Sequence, residues 1–129
     1  MALSHARPDL EAHQQVVRMS ATEVVQRLVD LLGGRLVAYV AGVTETRAVR
    51  QWATGEREMR PETDRRLRES LTVALTIARV DKAPVVQAWF QGLNPQLDDR
   101  SPARLLREGD IESVGPEVRQ AARAFATGG

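Results

Sequence analysis

Gly42-Val43-Thr44-Glu45-Thr46-Arg47-Ala48-Val49-Arg50-Gln51-Trp52-Ala53-Thr54-Gly55 is the stretch on which the reading of this chain turns. Thr44 can accept the free backbone N–H groups at a helix start, and Gly55 can close a helix in left-handed backbone. Between them Ala48, Val49 and Trp52 recur at helical spacing, which predicts a short helix of about ten residues and makes Trp52 a core residue rather than a stacking platform. The opposite side carries Glu45, Thr46, Arg47, Arg50 and Gln51, all able to reach base edges or phosphates, directly after a tight turn at Gly42. That is the layout of a helix that reads a DNA groove. An ordinary amphipathic surface helix has the same pattern, and these residues alone leave both readings open.

Upstream, Ser20 and Glu23 form a capping box with Met19 placed to staple onto Val24. Val24, Val25, Leu28, Leu31 and Leu32 then make an apolar stripe that Gly33-Gly34 ends. Arg35 to Ala41 predicts a second short helix, with Leu36, Val37 and Val40 inward and Tyr39 at its edge. Residues 1–18 carry His5, Arg7, Pro8, Asp9 and Glu11 ahead of Val16-Val17, and read as a flexible arm with room for a short helix after Pro8. Downstream, Pro61 starts a helix to about Val80, with Leu67, Leu71, Ala74, Leu75 and Ala78 as its stripe and Arg65, Arg66 and Arg68 mostly off it. Asp81 to Pro84 is a boundary, after which Val85, Val86, Trp89 and Phe90 form a helix to Gly92. Ser101-Pro102 opens a short helix with Leu105 and Leu106 buried, and a last helix holds Val118, Ala121, Ala122 and Phe125, interrupted or started at Gly115-Pro116. No segment alternates long enough for a strand, so the expected fold is all-α, with an arm over 1–18, a helix-turn-helix domain over 19–82 and a helical C-terminal domain over 83–129.

Composition narrows the function. With 129 residues, 43% of them hydrophobic, the chain can build one ordinary domain or two very small units. A net charge of +1 supplies no overall basic field, so any affinity for nucleic acid has to be local. Lys82 is the only lysine, an arginine bias that phosphate recognition or a GC-rich genome would each produce. With no cysteine, and with His5 and His13 badly spaced as a metal pair, neither a metal nor a cofactor is expected, and nothing suggests an enzyme. No apolar run reaches transmembrane length and the first residues lack the apolar core of a secretion signal, so a cytoplasmic protein with no membrane contact is expected.

Taken together these residues form a resemblance. The capped first helix, Leu36 to Ala41, Gly42, the helix through Trp52, Gly55-Glu56-Arg57 and the Pro61-led helix resemble a helix-turn-helix of the Xre type. Trp89-Phe90, Asn94-Pro95, Leu97-Asp98, Ser101-Pro102-Ala103, Leu105-Leu106, Gly109 and Ala121 to Phe125 are similar to the C-terminal domain of the Xre/MbcA/ParS antitoxin family. The resemblance covers roughly residues 20 to 129. It implies a first domain that binds double-stranded operator DNA and a second whose C-terminal end blocks the active site of a RES-type, NAD-consuming toxin. Immunity repressors of temperate phages can share the two-domain plan with no toxin involved. The Gly42 to Gly55 interval is one residue longer than that family's usual spacing, which leaves open which of Thr44 to Arg47 faces bases.

The expectation is therefore a sequence-specific transcriptional repressor, either an antitoxin autorepressing its operon or a phage immunity repressor. The alternative is an antitoxin that acts chiefly by binding a RES-type toxin. Arg47, Arg50 and Gln51 are expected to read base edges, with Thr44 or Thr46 on phosphate. Glu45 either accepts from cytosine or favours the helix start electrostatically. Arg57 and Arg60 are expected on phosphate. Arg100, Ser101, Arg104 and Arg107 are either a solvated face offset by Asp98, Asp99 and Glu108, or a second DNA contact that would let one chain span a longer site. Arg119, Arg123, Phe125 and Gly129 are the candidate partner-binding residues of the closing helix. Monomer and dimer both stay open.

Overall fold

Among the described residues, five α-helix starts carry a side-chain cap or a first-turn proline. Ser20 Oγ accepts from the Glu23 N–H at 3.2 Å while Glu23 accepts from the Ser20 N–H at 2.8 Å, closing the capping box. Pro8, Pro61, Pro84 and Pro102 each stand in the first turn of a helix, where a missing N–H costs nothing. The computed structural model describes residues 7–128, which fold as α1 Pro8–Val17, α2 Ala21–Leu32, α3 Gly34–Ala41, α4 Thr46–Thr54, α5 Pro61–Ala78, α6 Ala83–Gln91, α7 Pro102–Glu108 and α8 Ile111–Ala126. A single 3-10 turn, Pro95–Leu97, joins α6 to α7. The expected all-α fold is what forms.

α5 is the axis. It packs against α1, α2, α3, α6 and α8, and every residue from Ser70 to Ile77 is buried. The sequence stripe of five apolar residues understated this, because Ser70, Thr72 and Thr76 look like surface positions. Their hydroxyls donate instead to the carbonyls one turn back, Ser70 to Arg66, Thr72 to Arg68 and Thr76 to Thr72, at 2.8, 3.1 and 2.8 Å. A hydroxyl satisfied within its own helix can be buried at little cost.

Two expectations change here. The short helix expected after Pro8 forms, but it is no free arm: it packs on α5 and α8, with Ala12, Val16 and Asp9 buried; the first six residues, His5 among them, and Gly129 at the other end lie outside the described residues. Burial pushes the Asp9 carboxyl up, but its hydrogen bonds from Arg7, at 3.0 and 2.9 Å, outweigh that and hold it below the usual range. Gly115-Pro116 neither starts nor interrupts the last helix; it lies inside α8. The reason is packing: a Cβ at position 115 would stand 3.1 Å from Glu69 Cγ, so glycine lets α8 press against α5. One turn on, Arg119 grips the same Glu69 carboxylate with two hydrogen bonds of 2.9 and 2.7 Å. Those contacts offset the one helical hydrogen bond that Pro116 removes.

The buried apolar residues form one cluster, which runs from Ala12 through Leu28, Leu71, Phe90 and Leu106 to Ala122. Segments 19–82 and 83–129 therefore share a core. Arginines tie the seams: Arg68 donates to the Val16 and Met19 carbonyls at the end of α1, both at 3.0 Å, and Arg66 donates to Leu106 O and, at 3.1 Å, to Gly109 O at the end of α7. No helix among the described residues is long and apolar enough to cross a membrane.

Candidate nucleic-acid interface

The turn between α3 and α4 begins at Gly42, whose φ of 82° is left-handed backbone that a residue with a Cβ enters only with strain. Gly42 N–H bonds to Tyr39 O at 3.1 Å and Val43 N–H to Ala38 O at 3.0 Å, which stops α3 and sends the chain outward. α4 then starts one turn residue later than the sequence indicates. Glu45, not Thr44, is its N-cap, and no side chain caps it. The physical reason is the half-buried Val43, which packs on the core and leaves Thr44 and Glu45 to bridge back to the helix.

Val49 and Trp52 anchor α4, with Ala48 and Ala53 partly buried beside them. Gln26 on α2 donates to Ala53 O at 2.7 Å and fixes the far end. Arg47 and Arg50 are left on the exposed side, flanked by Thr46 and Gln51, which are half-buried. Arg50 donates to Thr46 Oγ1 at 3.1 Å, so these two share one edge of the helix, next to Asp30 and Arg35. Arg47 and Gln51 share the other edge with Thr44 and Glu45.

Arg57 joins that second edge. The chain doubles back after Gly55, with Arg57 N–H bonding to Gln51 O at 3.3 Å, and the Arg57 side chain lines the same groove as Arg47 and Gln51. Arg60 is exposed at the N-cap of α5 and does not line this groove. Arg35, exposed in the first turn of α3, was not singled out from the sequence; it lies beside Thr46 and Arg50, and its signal was only its place at the start of the helix preceding the turn.

Among the described residues, Arg7, Arg66, Arg68, Arg79, Arg104 and Arg119 each have a carboxylate within the 4.0 Å that defines an ion pair and Arg100 has two, whereas Arg47, Arg50, Arg57 and Arg35 have none, a state they share with Arg18, Arg27, Arg60, Arg65, Arg107 and Arg123. The α7 set is differently placed. Ser101 Oγ accepts from the Arg104 N–H at 3.1 Å, Arg104 pairs with Glu108 at 3.1 Å, and Arg100 donates to Leu97 O at 2.8 Å. Arg107 reaches across to α3, donating to Tyr39 O at 2.7 Å with its guanidinium 4.7 Å from the Tyr39 ring centroid. Of these four, only Arg107 lies beside α4, in a groove with Thr44, Glu45 and Thr46.

The C-terminal candidates separate as well. Arg119 is taken up by Glu69, and Arg123 is half-buried near Asp9. Phe125 is 39% exposed beside Trp89 and Leu93, in an apolar groove between α6 and α8. No family model, no curated protein and no solved structure matches this chain.

Proposed function

We propose that the protein is a sequence-specific DNA-binding regulator that lays α4 in the major groove. The observation that carries this reading is the pair Arg47 and Arg50, exposed without a carboxylate partner on a short helix that follows a tight turn, with Gln51 and Arg57 lining the same groove as Arg47. Arg47, Arg50 and Gln51 supply the side chains that pair with guanine and adenine edges. Arg57 and Arg35, one on each flank, supply phosphate contacts that set the register. With a net charge of +1, long-range attraction is weak, so affinity rests on these few contacts and on fit.

The test is selection from a pool of random duplexes, followed by titration of the recovered sequence and a scrambled control at fixed salt. A recovered consensus bound at least tenfold more tightly than the control supports the reading; equal affinity for both removes it.

A second reading, neutralisation of a RES-type toxin through the C-terminal segment, is favoured by the apolar groove at Trp89, Leu93 and Phe125, since exposed aromatic surface on a small domain is characteristic of protein partners. It predicts that Phe125→Ala abolishes protection of cells against such a toxin while DNA binding survives.

A further inference from the structure

We infer that Arg107 is a positioning residue: from α7 it clamps the turn that carries α4 and so sets the angle at which the proposed DNA-reading helix leaves the core. Three contacts form the chain of support. Arg66 on α5 holds the carbonyls of Leu106 and Gly109 at the end of α7. Arg107, in that last turn, donates to Tyr39 O at 2.7 Å and lies over the Tyr39 ring. Tyr39 O is the same atom that accepts from Gly42 N–H at 3.1 Å, the hydrogen bond that starts the turn into α4.

The chemistry suits the place. Carbonyls at a helix C-terminus carry partial negative charge and lack a full set of partners, and a guanidinium supplies both a donor and a positive charge there. Stacking on the tyrosine ring limits the guanidinium's freedom, so the contact is directional rather than a loose ion cloud. α4 itself has no side-chain cap at its start, so the turn is held from outside rather than from within. A segment 68 residues away in sequence thereby controls the recognition turn.

The functional half of this inference rests on the reading of α4 as a DNA-binding helix; the structural half does not. Amide hydrogen exchange on the full-length free protein tests the clamp alone. In Arg107→Ala the Gly42 and Val43 amides should exchange about tenfold faster, while amides in the middle of α5 keep their protection. Arg107→Lys, which keeps a charged donor for Tyr39 O but not the planar group over the ring, should restore only part of the protection. Binding to the selected duplex should weaken by roughly three- to tenfold in Arg107→Ala, with the slope of log affinity against log salt unchanged, because no phosphate contact is lost. Unchanged exchange at Gly42 and Val43 overturns the clamp, as does a fall in salt slope of about 0.9, which would make Arg107 a phosphate contact. Loss of protection throughout α5 in both Arg107 variants also overturns it, since the residue would then serve global stability. If exchange responds as stated and wild type prefers no duplex, the DNA reading fails and the clamp stands.

Discussion

α4 and α7 are alike on paper. Each is short, each carries two arginines three apart, Arg47 with Arg50 and Arg104 with Arg107, and each buries its other side. In the fold they diverge. Arg47 and Arg50 face outward without carboxylate partners, whereas Arg104 pairs with Glu108 and Arg107 is drawn onto Tyr39. An arginine held by a carboxylate or a carbonyl of another helix is less available to a ligand than one that meets only a hydroxyl of its own helix, as Arg50 meets Thr46, so spacing and charge by themselves do not distinguish a binding face from a packing seam.

The largest effect expected on this comparison comes from the core both helices share. Leu71, fully buried on α5, should cost about 2–5 kcal/mol when changed to Ala. Because the buried cluster is continuous, Trp52 on α4 and Trp89 on α6 should report one urea transition in wild type and variant alike. Two separated transitions, followed in single-tryptophan variants, would show that the α4 and α7 regions are independent units after all.

Next come the arginines of α4. Arg47→Ala and Arg50→Ala should each lose about 1–3 kcal/mol on the preferred duplex and much less on a scrambled one. Arg57→Ala should weaken both by similar factors. Equal losses on the two duplexes for Arg47 and Arg50 would place them with the phosphate contacts and erase the contrast with α7.

Helix starts offer a smaller, cleaner contrast. Ser101 caps α7 through the Arg104 N–H, so Ser101→Ala should cost about 1 kcal/mol of stability. Thr44 makes no cap for α4, and Thr44→Ala should leave the denaturation midpoint in place. A matching loss at both positions would mean that Thr44 caps α4 in solution.

The carboxylates with a shifted acidity lie on α1 and α2. Asp9 and Glu23 are both held below the usual carboxylate range, Asp9 by Arg7 against the effect of burial and Glu23 by the Ser20 N–H and hydroxyl. Near pH 4 the folded chain therefore binds fewer protons at these groups than the unfolded chain does. Their stabilisation is present in full above about pH 5 and fades as pH falls through their folded values. Midpoints measured from pH 6 to pH 3 should fall, and Asp9→Asn should flatten the decline.

The smallest effect belongs to Arg104. Its pair with Glu108 is exposed and one turn apart, so Arg104→Ala should change stability by about 0.3–0.5 kcal/mol. A drop in the salt dependence of DNA binding in this variant would restore α7 as a second DNA contact.

Neighbours within four residues decide where helices begin and end, and those decisions were legible: the Ser20 box, Pro61, Ser101-Pro102, and the stops at Gly42 and Gly55 all stand where local chemistry places them. Local chemistry erred where packing outweighs it. Thr44 loses the cap position because Val43 seats on the core, and Pro116 stays inside a helix because Gly115 and Arg119 fasten α8 to Glu69. Of the arginines' partners, the local ones were legible, as Glu108 was for Arg104; the distant ones were not. Arg66 finds its acceptors 40 and 43 residues away, Arg119 meets Glu69 across 50 and Arg107 reaches Tyr39 across 68. A pattern of period 3.6 says which way a side chain points from its own helix; only the packing of helix on helix says whether an acceptor is waiting there, and that decides which arginines are left to meet a ligand.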